Sequence, residues 1–191
     1  NQTSGIVEVD TGTIQLPNNY THAAGTLWLN GGNFTTFGTF GMTGGSLIGT
    51  GTNLAATFLD GGTISPGQSP GFLQFKSGLT LGSNATLVIE GTGTIPGSQH
   101  DQLAVTGGIS LSNCALQVTT LPSVPLGATF VIITNTSGTA VAGRFNGLPD
   151  NSLLTINGQL FRIHYSAPGN HVTLVRDNGA GSTQLNLGPG G

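Results

Sequence analysis

The chain has 191 residues, of which 33 are glycine, 36% are hydrophobic and only 6% are charged, against about 25% charged in an ordinary soluble domain. Four basic against seven acidic side chains leave a net charge of −3, which excludes the clustered Lys and Arg that nucleic-acid binders use to displace counterions. Good helix formers are scarce, Gly and Pro punctuate nearly every window of ten residues, no G-X-Y period is present and no apolar run reaches the roughly 20 residues of a membrane span, so helical, collagen-like and helix-inserted membrane architectures are excluded together.

The chain opens inside a predicted strand, Gly5-Ile6-Val7-Glu8-Val9, with no signal peptide, and reads as a piece or a processed form of something larger. A triplet of Gly, a small hydroxyl residue and an aliphatic residue then recurs as Gly12-Thr13-Ile14, Gly25-Thr26-Leu27, Gly45-Ser46-Leu47 and Gly62-Thr63-Ile64. The last three follow one another at nearly even intervals, close to the repeat length of solenoid proteins. Bursts such as Thr26-Leu27-Trp28-Leu29-Asn30 and Ala85-Thr86-Leu87-Val88-Ile89-Glu90 alternate with period two between Gly or Asn boundaries, the signature of short strands. A strand of that length cannot bury its apolar face alone, whereas copies stacked in register bury one continuous aliphatic column. Outward threonines suit a pleated surface and pair across strands without charge. The predicted fold is therefore all-β: a right-handed parallel β-helix, or solenoid, with its rungs over residues 1–115.

Beyond Leu116 the strand candidates lengthen and become more apolar, over residues 129–134, 153–156, 160–165 and 171–175. Asn157-Gly158 is a two-residue hairpin signal. In that register Leu154, Ile156, Phe161 and Ile163 share one face, and Thr155, Arg162 and His164 share the other with Leu153 and Leu160. An antiparallel β cap is expected over 116–176, closing the last rung. Residues 177–191 read as a Gly-rich tail or linker, in which Thr183, Gln184, Leu185, Asn186 and Leu187 form an alternating patch suited to strand addition.

Several blocks occur in a telling order: Gly61-Gly-Thr-Ile-Ser-Pro-Gly-Gln-Ser-Pro-Gly71, Leu79-Thr-Leu81, Ala85-Thr-Leu-Val-Ile-Glu90, Asp101-Gln-Leu-Ala-Val-Thr-Gly107, Leu126-Gly-Ala-Thr-Phe-Val-Ile-Ile133, Phe145-Asn-Gly-Leu-Pro149, Phe161-Arg-Ile-His-Tyr165 and Asn170-His-Val-Thr-Leu174. Through them, roughly residues 60 to 175 resemble the autotransporter-associated β-strand repeat with its terminal domain, found in large secreted or surface-anchored bacterial proteins. The resemblance implies a β-helical passenger or stalk segment, at the cell surface or outside the cell, and transfers no catalytic residue. His171 stands where that pattern more often has Asp.

Motifs with chemical potential have plainer readings. Gly67-Gln68-Ser69-Pro70-Gly71 matches the serine-hydrolase pattern, but Pro70 has no N–H to offer an oxyanion, and Phe72-Leu-Gln-Phe75 alternates like a strand where a helix is required. Glu8 and Asp10 share an outward strand face. A β-helix lyase or hydrolase needs a carboxylate cluster with a basic residue, and the chain holds only Lys76, Arg144, Arg162 and Arg176. Asp101 is expected to hold turn N–H groups beside His100; His164 and His171 flank the last hairpin without accompanying ligands. Cys114 stands alone and reads as a buried, inert thiol. No cofactor or metal is expected. The leading functional expectation is a structural segment that pairs with preceding rungs or with another subunit, without nucleic acid and without membrane insertion of its own. The alternative is a carbohydrate-binding or adhesive module using Trp28, Phe34, Phe37 and Phe40 as an exposed aromatic strip, with the rival reading that the phenylalanines stack inside.

Overall fold

The computed structural model describes residues 4–68, 70–167 and 169–180. Among them every regular element is a strand, and none is helical. The first part of the chain supplies β1 (Ile6–Glu8), β2 (Thr13–Leu16), β3 (Tyr20–His22), β4 (Thr26–Leu29), β5 (Asn33–Thr36), β6 (Phe40–Gly49), β7 (Thr52–Asn53) and β8 (Thr57–Pro66). There follow β9 (Phe72–Phe75), β10 (Leu79–Leu81), β11 (Ala85–Glu90), β12 (Gln102–Val105), β13 (Ile109–Ser112), β14 (Ala115–Thr120), β15 (Thr129–Asn135) and β16 (Ala142–Arg144). Last come β17 (Leu153–Ile156), β18 (Gln159–Ala167) and β19 (His171–Arg176).

These strands form a ten-stranded and a nine-stranded sheet, and most pairings are parallel. The larger sheet holds two ladders, because β6 and β8 are long enough to join both and β6 changes register against β8 between Thr43 and Ser46. One ladder runs β1, β4, the second half of β6, the second half of β8, β11 and β14. Another runs β3, the first half of β6, the first half of β8, β10, β13 and β16. The smaller sheet is the third ladder: β2, β5, β7, β9, β12 and β15, with β19, β18 and β17 added antiparallel beyond it.

The recurring triplets predict this register. Thr26 lies opposite Ser46 and Ser46 opposite Thr63, so the interval between triplets in the sequence is itself the step from strand to strand. Gly12-Thr13-Ile14 departs from the expectation: Thr13 lies opposite Asn33 in the other sheet, and the counterpart of Gly25 is Gly5, because Ile6 lies opposite Thr26. Antiparallel pairing also begins later than residue 116. β14, β15 and β16 each continue a parallel ladder, and the antiparallel layer is confined to β17–β19 and its junction with β15.

Alternation decides what is buried. Leu27, Leu47, Ile64 and Leu87 lie opposite one another and are fully buried, with Val7 and Leu116 partly covered at the ends of the column. Each such side chain contributes about 1.5 to 3 kcal/mol relative to exposure. In the smaller sheet the column reads Ile14, Phe34, Asn53, Phe75, Val105, Asn135. The two asparagines leave this apolar row because each closes a corner. Asn53 Oδ1 accepts the Ala55 N–H and its Nδ2 donates to Thr57; Asn135 Oδ1 accepts the Ser137 N–H and its Nδ2 donates to Thr139 O. The hairpin between β17 and β18 turns at Asn157 and Gly158, both with positive φ (48° and 74°), as a two-residue primed turn requires. It buries Ile156, Phe161 and Ile163 on the predicted face.

Candidate functional site

The corner between the second and third ladders has two forms. Opposite Phe34 and Phe40 the neighbouring strands have Asn53 and Thr57, and the strands beyond them have Phe75 and Leu79. The passage from Phe34 to Phe40 is as long as that from Ile14 to Tyr20, whereas the later corners are shorter. Two stacked turns, Pro17-Asn18-Asn19 and Phe37-Gly38-Thr39, therefore carry extra chain at the surface. Phe37 N–H donates to Leu16 O (3.0 Å), Tyr20 N–H to Thr39 O (3.0 Å) and Thr39 N–H to Asn19 Oδ1 (2.9 Å). A Cβ at Gly38 would lie 1.9 Å from Asn19 Oδ1 and 2.9 Å from Asn19 N, so a side chain there would displace the Asn19 amide and press on its backbone. Between the turns lies a notch of about 280 Å³ lined by Pro17, Asn18, Asn19, Phe37 and Gly38.

The proposed aromatic strip does not form. Phe34 and Phe40 are buried and pack against each other (centroids 5.0 Å apart) and against Tyr20 (5.6 and 5.8 Å). Period-two alternation turns Phe34 inward on β5, and Phe40 opens β6 on the inward side. Trp28 is half-buried in a different ladder, opposite Glu8 and Ile48. Only Phe37 of the four is open to solvent, 77% exposed, because it stands past the end of β5.

The other sequence-selected residues fall into structural places. Gly71 N–H donates to Asp101 Oδ1 (2.8 Å) and Glu90 N–H to Oδ2 (3.0 Å), so Asp101 holds turn N–H groups as expected. Burial pushes its carboxyl up to about 7 against the pull of those two donors. His100 is buried, with its ring nitrogens 3.3 Å from Gly93 O and 3.2 Å from Val131 O. Burial lowers the pKa of His100 and of His22, whose Nε2 lies 3.1 Å from Gly25 O. Glu8 and Asp10 are both exposed and share the Asn30 amide. His164 lies opposite Thr173, and His171 Nδ1 accepts the Asn135 N–H (3.1 Å), a corner bond made by imidazole. After Gly71 the chain continues as strand β9, where the hydrolase pattern needs a helix; Ser69 itself, and the patch Thr183 to Leu187, lie outside the described residues. Tyr165 joins two of the sequence blocks, donating to Leu148 O (2.8 Å) and accepting from Phe145 N–H (3.2 Å).

A second cleft, about 480 Å³, lies between Thr92–Gln99 and Pro122–Thr129. Its lining is neutral throughout, and Gln159 braces one wall by accepting the Val124 N–H and donating to Pro122 O. Cys114 ends a column of small residues, Gly62 opposite Ala85 and Ala85 one step before the pair Thr86 and Ala115. Its thiol is buried and pushed up to about 12. A thiol reagent at pH 8 is therefore expected to label Cys114 only as fast as the protein unfolds; labelling of native protein within minutes, at the rate of free cysteine, disproves this placement.

No family model, no curated protein and no solved structure matches this chain.

Proposed function

We propose that the chain is a structural, non-catalytic segment of an extracellular or surface-anchored bacterial protein, a stalk, passenger or fibre unit. In this reading the three ladders are the faces of a right-handed parallel β-helix and the β17–β19 layer is its cap. One observation carries it: the ladders advance together. Ile6 to Thr26, Thr13 to Asn33 and Tyr20 to Phe40 are steps of one and the same length along the chain. Each strand thus contacts the copy before and the copy after, which makes stability a sum over neighbours and length adjustable. The hydroxyl row Thr26, Ser46, Thr63, Thr86 supports the reading as well, since it decorates one face without charge. Among the described residues β1 and β2 are paired along one edge only; those edges are where preceding rungs or a neighbouring subunit would add.

The test is insertion in phase. Inserting three extra copies of residues 26–45 before Ser46 adds three complete turns, because Ser46 is the register partner of Thr26. The longer chain should melt cooperatively at or above the parent temperature, and its scattering envelope should lengthen by about 14 Å, three strand spacings. Repeating residues 26–35 instead breaks the phase and should leave the chain unfolded. If both insertions behave alike, or if the in-phase chain gains no length, the modular structural reading is wrong.

A further inference from the structure

The two long corners are more than the winding needs, since the Asn53–Thr57, Phe75–Leu79 and Val105–Ile109 corners make the same passage with less chain. What the extra residues add is specific. Phe37 is 77% exposed in a chain that fully buries Phe34, Phe40, Phe75, Phe130, Phe145 and Phe161. Beside it stand the pyrrolidine ring of Pro17 and two side-chain amides. Asn19 is fixed by the Thr39 N–H through Oδ1, which leaves its Nδ2 to donate elsewhere. Asn18 is exposed and makes no hydrogen bond among the described residues. No charged side chain lines the notch.

From this we infer that the Pro17–Asn19 and Phe37–Gly38 corners form a binding site for a neutral glycan, with one sugar ring seated on the Phe37 face and its hydroxyls bonded by the Asn18 and Asn19 amides. An aromatic face takes up the C–H side of a pyranose, while the Asn19 amide, held through Oδ1, offers a donor and the exposed Asn18 amide a donor and an acceptor to vicinal hydroxyls. The absence of charge in the lining favours a neutral sugar over a uronate or a sulfated one. At about 280 Å³ the notch lies just below the size range of ligand pockets, so it accommodates one ring of a longer chain. The stacked turns hold the site before ligand arrives, which limits the ordering cost of binding.

Affinity electrophoresis of the whole chain through gels containing soluble dextran, mannan, xylan or mixed-linkage β-glucan tests the site. Retardation is expected in at least one of these polysaccharides. Phe37→Ala should weaken it at least tenfold and Asn18→Ala severalfold. Phe58→Ala should leave it unchanged, because Phe58 is also exposed (48%) but stands on β8 and does not line the notch. All three positions are at the surface, and an unchanged circular dichroism spectrum certifies the fold of each variant. No retardation in any gel, or equal loss in Phe58→Ala, overturns the proposal. If light scattering shows self-association that Phe37→Ala abolishes, the aromatic corner is a protein contact and the glycan site is wrong. None of these outcomes touches the insertion experiment, so the structural reading stands or falls separately.

Discussion

Replacing Gly45 by alanine is expected to destabilise the protein by about 3 to 4 kcal/mol, among the largest effects available to a single methyl group. Gly5, Gly25, Gly45 and Gly62 share one place at the entry to the first ladder and all have positive φ, between 73° and 89°. For a residue with a side chain that conformation costs about 1 to 2 kcal/mol. Space adds to the cost at Gly45, where a Cβ would lie 2.6 Å from Gly25 O and 2.7 Å from His22 Nε2. Gly25 O is the acceptor of the Ser46 N–H (2.9 Å), so relieving the clash means opening the ladder. Two controls separate the contributions. Gly12→Ala has positive φ (71°) but nothing within 4 Å, and should cost only the conformational share of about 1 kcal/mol. Gly108→Ala has open space and no positive φ, and should stay within about 0.5 kcal/mol of the parent. Urea midpoints for the three variants give the ranking; a Gly45 variant no weaker than the Gly12 variant would falsify the stacking argument.

The same column explains what could be read in the sequence. Gly25, Gly45 and Gly62 were legible because their spacing is itself the hydrogen-bond register. Gly12 misleads because a triplet is local and carries no mark of the ladder it belongs to. Its interval to Gly25, shorter than either interval that follows, was the available warning, and Gly5 hides because an isoleucine takes the hydroxyl position after it. The start of the antiparallel layer was illegible for a different reason: an alternating strand looks the same whichever way its neighbour runs. Longer connections before β12 and β15 also stretch the step well beyond that between the early strands, as from Leu73 to Leu103 and from Leu103 to Ile133, and so conceal that β15 continues a parallel ladder. Phe34, Phe37 and Phe40 recur at every third position, a period no strand has. That spacing crosses from β5 through a corner into β6 and leaves Phe37 alone outside. The notch had one signal in the sequence, Pro17-Asn18-Asn19 standing one full step of the ladders before Phe37-Gly38-Thr39, but only the stacking of the two turns gives it meaning.

Asp101 carries the second large effect, and its charge state is decided by two opposed forces. The residue is fully buried and ties Gly71 to Glu90 through its two carboxyl oxygens. Asp101→Ala strands one buried and one part-buried N–H group and leaves a void, so a loss of about 3 kcal/mol is expected. Asp101→Asn keeps an acceptor for Gly71 but turns an amide N–H toward Glu90 N–H, a loss of about 1 to 2 kcal/mol. Burial raises the folded-state pKa from 3.8 to about 7. Between those values the unfolded chain ionises while the folded one holds its proton, so this group's contribution falls as pH rises, by about 4 kcal/mol over the whole window. His22 and His100 act in the opposite sense. Their folded pKa values are lowered from 6.5, so the unfolded chain takes up protons first and stability falls as pH drops below 6.5. The total profile therefore conceals Asp101, and the difference between parent and Asp101→Asn isolates it. That stability advantage of the parent, about 1 to 2 kcal/mol near pH 4, should fall steadily and change sign before pH 7 in thermal or urea unfolding. An advantage that instead grows with pH would mean that the two backbone donors outweigh burial and keep Asp101 ionised in the folded protein.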